Sequence, residues 1–123
     1  MTSPGRYCSR CDYDLRGLAA DQNNAGLIAQ ELGDLAGARR AYGVALAANR
    51  SAGRLEPAAT NLVNLGNVAS LDGAYAEAAG RYREALATYR QLGNPADVAL
   101  VLHNIGLLVM RRGDYRAAVT ALN

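Results

Sequence analysis

Lysine, tryptophan and phenylalanine are absent from this 123-residue chain, histidine occurs once (His103) and cysteine twice (Cys8 and Cys11). Without lysine there is neither a phosphate-cradling P-loop lysine nor Schiff-base chemistry. One histidine supplies no metal site and no base with its orienting partner. No nucleophile, base and oxyanion set emerges elsewhere, so the chain reads as a non-enzyme. The thirteen basic residues, all arginine, face eleven acids, and a formal charge of +2 gives no field that would draw nucleic acid or an anionic membrane. Arg39-Arg40 and Arg111-Arg112 lie within a turn or two of Glu31, Asp34 and Asp114 and read as solvated faces. The longest uncharged run, Val98 to Met110, is too short to span a bilayer. Arg6, Arg10 and Asp12 stand where a signal peptide needs an apolar stretch, so the expectation is a cytoplasmic protein whose cysteines stay reduced.

The only aromatic residues are seven tyrosines, and alanine is abundant, so a core must be built from thin side chains packed closely. That composition favours helices, because alanine is the best helix former and a poor strand residue. The chain also repeats itself. "NAGLIAQELGDLAGA" from Asn24, "NLGNVASLDGAYAEA" from Asn64 and "NIGLLVMRRGDYRAA" from Asn104 are offset by forty residues without a gap. Four columns match in all three copies: Asn24/64/104, Gly26/66/106, Gly33/73/113 and Ala38/78/118.

Each unit reads as two helices and a tight turn. In the middle unit Pro57 marks a helix start, Leu62, Leu65, Val68, Ala69 and Leu71 follow helical spacing, and Gly73 ends the helix. A second helix runs from about Tyr75 to Leu92, where Gly93 turns the chain and Asn94-Pro95 opens the next. Six helices are expected, the first starting between Asp14 and Asp21. Gly66 sits mid-helix at a cost of roughly 1 kcal/mol against alanine. The partner helix must therefore approach too closely for a β-carbon, with Ala78 as the small surface to meet it.

The middle unit carries Leu62, Leu65, Gly66, Ala69, Ala78, Tyr82 and Ala85 at the signature spacings of the tetratricopeptide repeat, which the chain resembles from about residue 15 to 123. The unit length exceeds the usual length of about 34 and is similar to the longer variety found in kinesin light chains and bacterial regulators. The resemblance implies an all-α solenoid of helix-turn-helix repeats winding into a right-handed superhelix. Its units fall at about 15–54, 55–94 and 95–123, after an N-terminal tail of residues 1–14. The third unit breaks off, leaving Ile105, Leu108, Val109, Val119 and Leu122 as an incompletely covered edge. Either the chain is a fragment of a longer protein or that edge meets another copy.

In such a solenoid the first helix of each unit lines a concave groove that holds an extended or helical peptide of a partner protein. Asn24, Asn64 and Asn104 recur on that lining, and an amide offers a donor and an acceptor to a peptide backbone. The alternative is that each bonds within its own turn or to a neighbouring helix. Leu27, Asn67, His103, Leu107 and Arg111 share the groove by helical spacing, with Asn23, Gln30 and Ser70 beside them, and Leu27, Asn67, His103 and Leu107 would set side-chain preference. The family's carboxylate clamp needs several basic residues here. Only Arg111 stands near, which argues against an acidic C-terminal tail as ligand.

The opening "YCSRCDYDLRGL" resembles the first half of a bacterial zinc ribbon, with Asp12 where that knuckle has glycine and no second C-x-x-C to complete four ligands. Cys8 and Cys11 thus form an inert tail, a half-site completed by the same cysteines of a second chain through shared zinc, or a redox pair lacking its usual βαβ context. The primary expectation is a protein-interaction module without a cofactor. The alternatives are a zinc-linked homodimer and a sensor fragment of a larger transcriptional regulator.

Overall fold

The computed structural model describes the backbone of residues 4–113 and the side chains of residues 15–113. Five helices follow one another: α1 (Pro4–Glu31), α2 (Leu35–Ser51), α3 (Leu55–Leu71), α4 (Tyr75–Leu92) and α5 (Pro95–Arg111). No strand occurs among the described residues. The expected sixth helix, with Ala118, Val119 and Leu122, lies outside the described residues.

Each turn is closed locally. At the end of α4, Gly93 takes φ 68°, where an L side chain would be strained, and the Asn94 N–H reaches back to the Tyr89 carbonyl at 3.0 Å. Gly73 (φ 79°) closes α3 similarly, with the Ala74 N–H on the Ala69 carbonyl at 2.8 Å. The same conformation recurs at Gly33, Gly53 and Gly113. At the start of α2, Asp34 Oδ1 accepts the Gly37 N–H at 2.9 Å and satisfies one of the orphan donors of the first turn. Pro95 stands in the first turn of α5, where its missing N–H costs nothing.

Two boundaries differ from the sequence expectation. Helix α3 begins at Leu55, so Pro57 sits inside its first turn. Helix α1 begins at Pro4, well before Asp14, and runs unbroken across residue 14. The reason is local: between Arg6 and Arg16 the chain has no glycine or proline to stop a helix, and proline suits a first turn. Cys8 and Cys11 fall on the early turns of α1, and their thiols lie outside the described side chains.

Packing proceeds in chain order, each helix against the next, with α5 also touching α3. One contiguous core joins Tyr42, Leu46, Leu62, Leu65, Val68, Tyr82, Tyr89, Val101 and Leu108 to the alanines Ala38, Ala59, Ala69, Ala78 and Ala85. The alanines let the helices approach, and the tyrosine rings fill what the alanines leave. A smaller cluster of Ala19, Ala45 and Ala48, with Leu15 against it, ties α1 to α2.

The glycine column has a different partner from the one expected. A β-carbon on Gly66 would lie 2.5 Å from Cε1 of Tyr82, and one on Gly26 would lie 2.5 Å from Cε1 of Tyr42. The tyrosine ring, one turn beyond Ala78, fills the space. Ala78 is itself fully buried and contributes room for that ring by its smallness.

Helix α5 also departs from the expected apolar edge. Leu108 (3 % exposed) and Val109 (8 %) are buried and Ile105 is half-buried. Leu100, Leu107 and Met110 are the exposed large apolar residues of this helix. The spacing 101, 105, 108 faces the core, and the set 100, 107, 110 points away from it. On α1, Leu18 and Ile28 are exposed at columns where α3 buries Ala58 and Val68.

Arg39 is likewise no solitary solvated charge. It contacts Asp72 Oδ2 at 3.4 Å and Glu77 Oε2 at 3.3 Å, both in the following unit. Its own-unit acids Glu31 and Asp34 are not its partners, and Asp34 instead caps α2. Arg50 pairs across the same unit boundary with Glu84.

Candidate functional site

The odd-numbered helices α1, α3 and α5 share one face, joined by side chains that cross between them. Asn61 Nδ2 and Asn64 Nδ2 of α3 both donate to Asn23 Oδ1 of α1, at 3.2 and 3.1 Å. Arg111 of α5 donates from Nη1 to Ser70 Oγ of α3 at 2.8 Å. Two clefts open on this face.

The cleft at the C-terminal ends of the helices measures about 240 Å³ and is lined by Gln30, Asn67, Ser70, Asn104, Leu107 and Arg111, with Tyr82 and Leu71. Four residues expected from the sequence, Asn67, Asn104, Leu107 and Arg111, therefore meet in one place. Beneath them Tyr82 donates its hydroxyl proton to Asn67 Oδ1, so the ring that packs on Gly66 also fixes a cleft residue. Tyr42 does the corresponding work in the first unit by donating to Gln30 Oε1 at 3.1 Å.

Burial pushes the Tyr82 hydroxyl up to about 12, with the Arg111 charge pulling weakly the other way. Tyr42 and Tyr89 are raised for the same first reason, burial. The unfolded chain therefore releases these protons first, from its ordinary value near 10. The stability these tyrosines contribute is fully present below about pH 10 and is expected to be lost as pH rises towards 12, as the linkage relation requires when the folded state holds the proton longer. Tyrosinate absorbance and helical circular dichroism recorded together across that range check this. Ionisation of all tyrosines near pH 10 with the helix intact would contradict it.

The second cleft, about 680 Å³, lies towards the N-terminal ends of α3 and α5 and is lined by Arg16, Ala19, Ala20, Asn23, Asn49, Arg54, Glu56, Pro57, Thr60, Asn61 and Asp97. Sequence reasoning placed only Asn23 near it. Asn49 and Asn61 are 3 % and 2 % exposed, and Asn49 Nδ2 donates to Asn61 Oδ1 at 2.6 Å. Arg54 Nη1 donates to Asn49 Oδ1 at 3.3 Å. Among its other lining residues, Glu56 Oε2 and Asp97 Oδ2 both accept from Asn94 Nδ2, and Thr60 Oγ1 bonds the Tyr89 hydroxyl at 2.9 Å. The signal for these residues was present in the forty-residue columns. Asn61 occupies the column in which α5 carries buried Val101, and Asn49 the column of buried Tyr89. A buried polar residue at a position where another helix buries an apolar one has to find partners.

The remaining expected residues are dispersed. Asn24 and Leu27 are exposed on α1, His103 is exposed on α5, and Asn64 is half-buried with its amide given to Asn23. No described helix is long and apolar enough to cross a membrane, and no group of three metal-ligating side chains occurs among the described residues.

No curated protein matches the chain. The sequence model of the family Tetratricopeptide repeat matches residues 56–123, covering α3, α4, α5 and the stretch that follows. That match spans more than half of the chain and takes in the α3–α4 pair with its Gly66–Tyr82 packing. The chain belongs to the tetratricopeptide repeat family.

Proposed function

We propose that this protein is an interaction module that holds an extended or helical peptide of a partner protein along the face shared by α1, α3 and α5. Tetratricopeptide repeats are in general protein-interaction modules, which gives the class. The observation that carries the reading for this chain is the convergence of Asn67, Asn104, Leu107 and Arg111 on one cleft. That cleft combines an apolar flank with side-chain amides and one cation, the mixture that orients a peptide while burying part of it.

In this reading Asn24, Asn64 and Asn104 meet the peptide backbone, and Leu27, Asn67, His103 and Leu107 select among its side chains. Asn64 has one amide hydrogen committed to Asn23, which leaves its second hydrogen and its oxygen for a ligand. Arg111, held by Ser70, supplies a fixed positive end.

Selection from a random linear peptide library, followed by titration of the winning sequences, tests this. Asn104→Ala and Leu107→Glu are expected to weaken a selected peptide at least about tenfold, the scale of one lost hydrogen bond or one charge set into an apolar contact. Both positions lie at the surface of the cleft, so the melting temperature should barely move. Unchanged affinity in both variants, or a library that yields no binder, would overturn the reading.

A further inference from the structure

The amide network of the larger cleft has a direction. A guanidinium can only donate, so the atom that Asn49 turns towards Arg54 must be its oxygen. Its nitrogen is then left for Asn61, which must present oxygen to Asn49 and nitrogen to Asn23. Asn23 in turn must present its oxygen inward, where it accepts from Asn61 and from Asn64. One arginine thereby fixes the orientation of three carboxamides across α2, α3 and α1.

The consequence appears at the far end of the relay. Asn23 lines the cleft, its oxygen is occupied twice, and its NH₂ group is what remains to face a ligand. Each bond in the relay runs the same way and begins at a positive charge, so successive amides polarise one another and strengthen the terminal donor. Asn49 and Asn61 are buried from water, so they cannot reorient without leaving a polar atom unpaired.

We infer that this cleft is a subsite for an acceptor oxygen, a carboxylate or an amide carbonyl of the bound segment, received by the Asn23 NH₂ group, with Arg54 as the positioning residue that sets its polarity. The inference rests on the peptide-binding reading above and adds the chemistry of one subsite. Glu56 and Asp97 line the same cleft as Arg16 and Arg54 and keep it from being uniformly positive, so the hydrogen-bond donor, more than the net charge, is what selects.

Three small probes separate the cases: propionate, an anionic acceptor; N,N-dimethylacetamide, a neutral acceptor without a donor; and propylammonium, a donor only. Each is titrated at millimolar concentration into isotope-labelled protein while the Asn side-chain NH₂ signals are followed by NMR. Either acceptor is expected to move the Asn23 signal, and the stronger of the two tells whether the source is a carboxylate or a carbonyl. Propylammonium should not move it.

Asn23→Asp keeps the shape, accepts from Asn61 and Asn64 as before, and replaces the donor with an oxygen. The preference for propionate over propylammonium should fall at least about tenfold. Arg54→Glu should reverse the relay and expose the Asn23 oxygen, bringing the Asn61 protons out of register with their wild-type exchange protection, while Arg54→Lys, still a pure donor, should preserve both readouts. Equal response to propylammonium and propionate in the wild type, or an unchanged preference in Asn23→Asp, would overturn the inference and leave the groove reading standing. A peptide library without binders sinks that reading, and the probe titrations still judge the subsite on their own.

Discussion

Tyr82→Ala is expected to remove about 3–5 kcal/mol of stability, the range for deleting a buried aromatic side chain. Tyr82 is 2 % exposed, belongs to the main core, and fills the space between α3 and α4 that Gly66 leaves open. Its loss opens a cavity at that crossing and leaves Asn67 without its donor. Small domains hold only about 5–15 kcal/mol in total, so the variant should approach unfolding at ambient temperature. Urea denaturation followed by circular dichroism reads the change directly. Tyr82→Phe, which keeps the ring, should lose only about 1 kcal/mol for the hydroxyl. If the two variants behaved alike, the ring would not be the element that holds α3 against α4.

Gly66→Ala is expected to destabilise, against the sign of helix propensity. In an open helix position this change gains about 1 kcal/mol. Here the new β-carbon would stand 2.5 Å from Cε1 and 2.8 Å from Cδ1 of Tyr82, and a buried ring packed among alanines has nowhere to swing. Overpacking of this kind costs about 1–3 kcal/mol. The clash exceeds the gain, and Gly66→Val should be worse. Gly43→Ala on α2 and Gly80→Ala on α4 are the matched controls, because a β-carbon at either meets nothing within 4 Å. Both should raise the urea midpoint. In the Tyr82→Ala background Gly66→Ala should turn neutral or stabilising, since its obstacle is gone. A stabilising Gly66→Ala in the otherwise native protein would contradict the packing described for the glycine column.

The architecture was legible because its cause is periodic. Matched glycine, alanine and asparagine columns repeat whenever one packing solution repeats, so the sequence alone discloses helix pairs and their turns. The identity of the close contact was less accessible. Ala78 and Tyr82 lie on the same face of α4, one turn apart, and only the helix crossing decides which of them sits over Gly66. The start of α1 was missed for a different reason. The C-x-x-C motif suggested a knuckle, while the local sequence holds nothing that would stop a helix.

The candidate site divides along the same line. Asn67, Asn104, Leu107 and Arg111 were reachable from helical spacing, because they belong to parallel helices at nearly equivalent columns. The Arg54, Asn49, Asn61 and Asn23 relay joins a turn to three helices through residues that break the repeat. Departures from a period have no period of their own, and their partners become visible only once the chain is folded.

The left-handed glycines stand at residues 33, 53, 73, 93 and 113, twenty apart. Both kinds of turn, within a unit and between units, therefore use one joint. A segment cut between two of these joints and spliced in again forty residues along would meet the same backbone conformation at both ends and the same kind of neighbour on both sides. The helix stack can thus lengthen unit by unit, by duplication of a stretch of DNA, with every turn of the backbone preserved and only the side-chain contacts particular to one unit left to adjust.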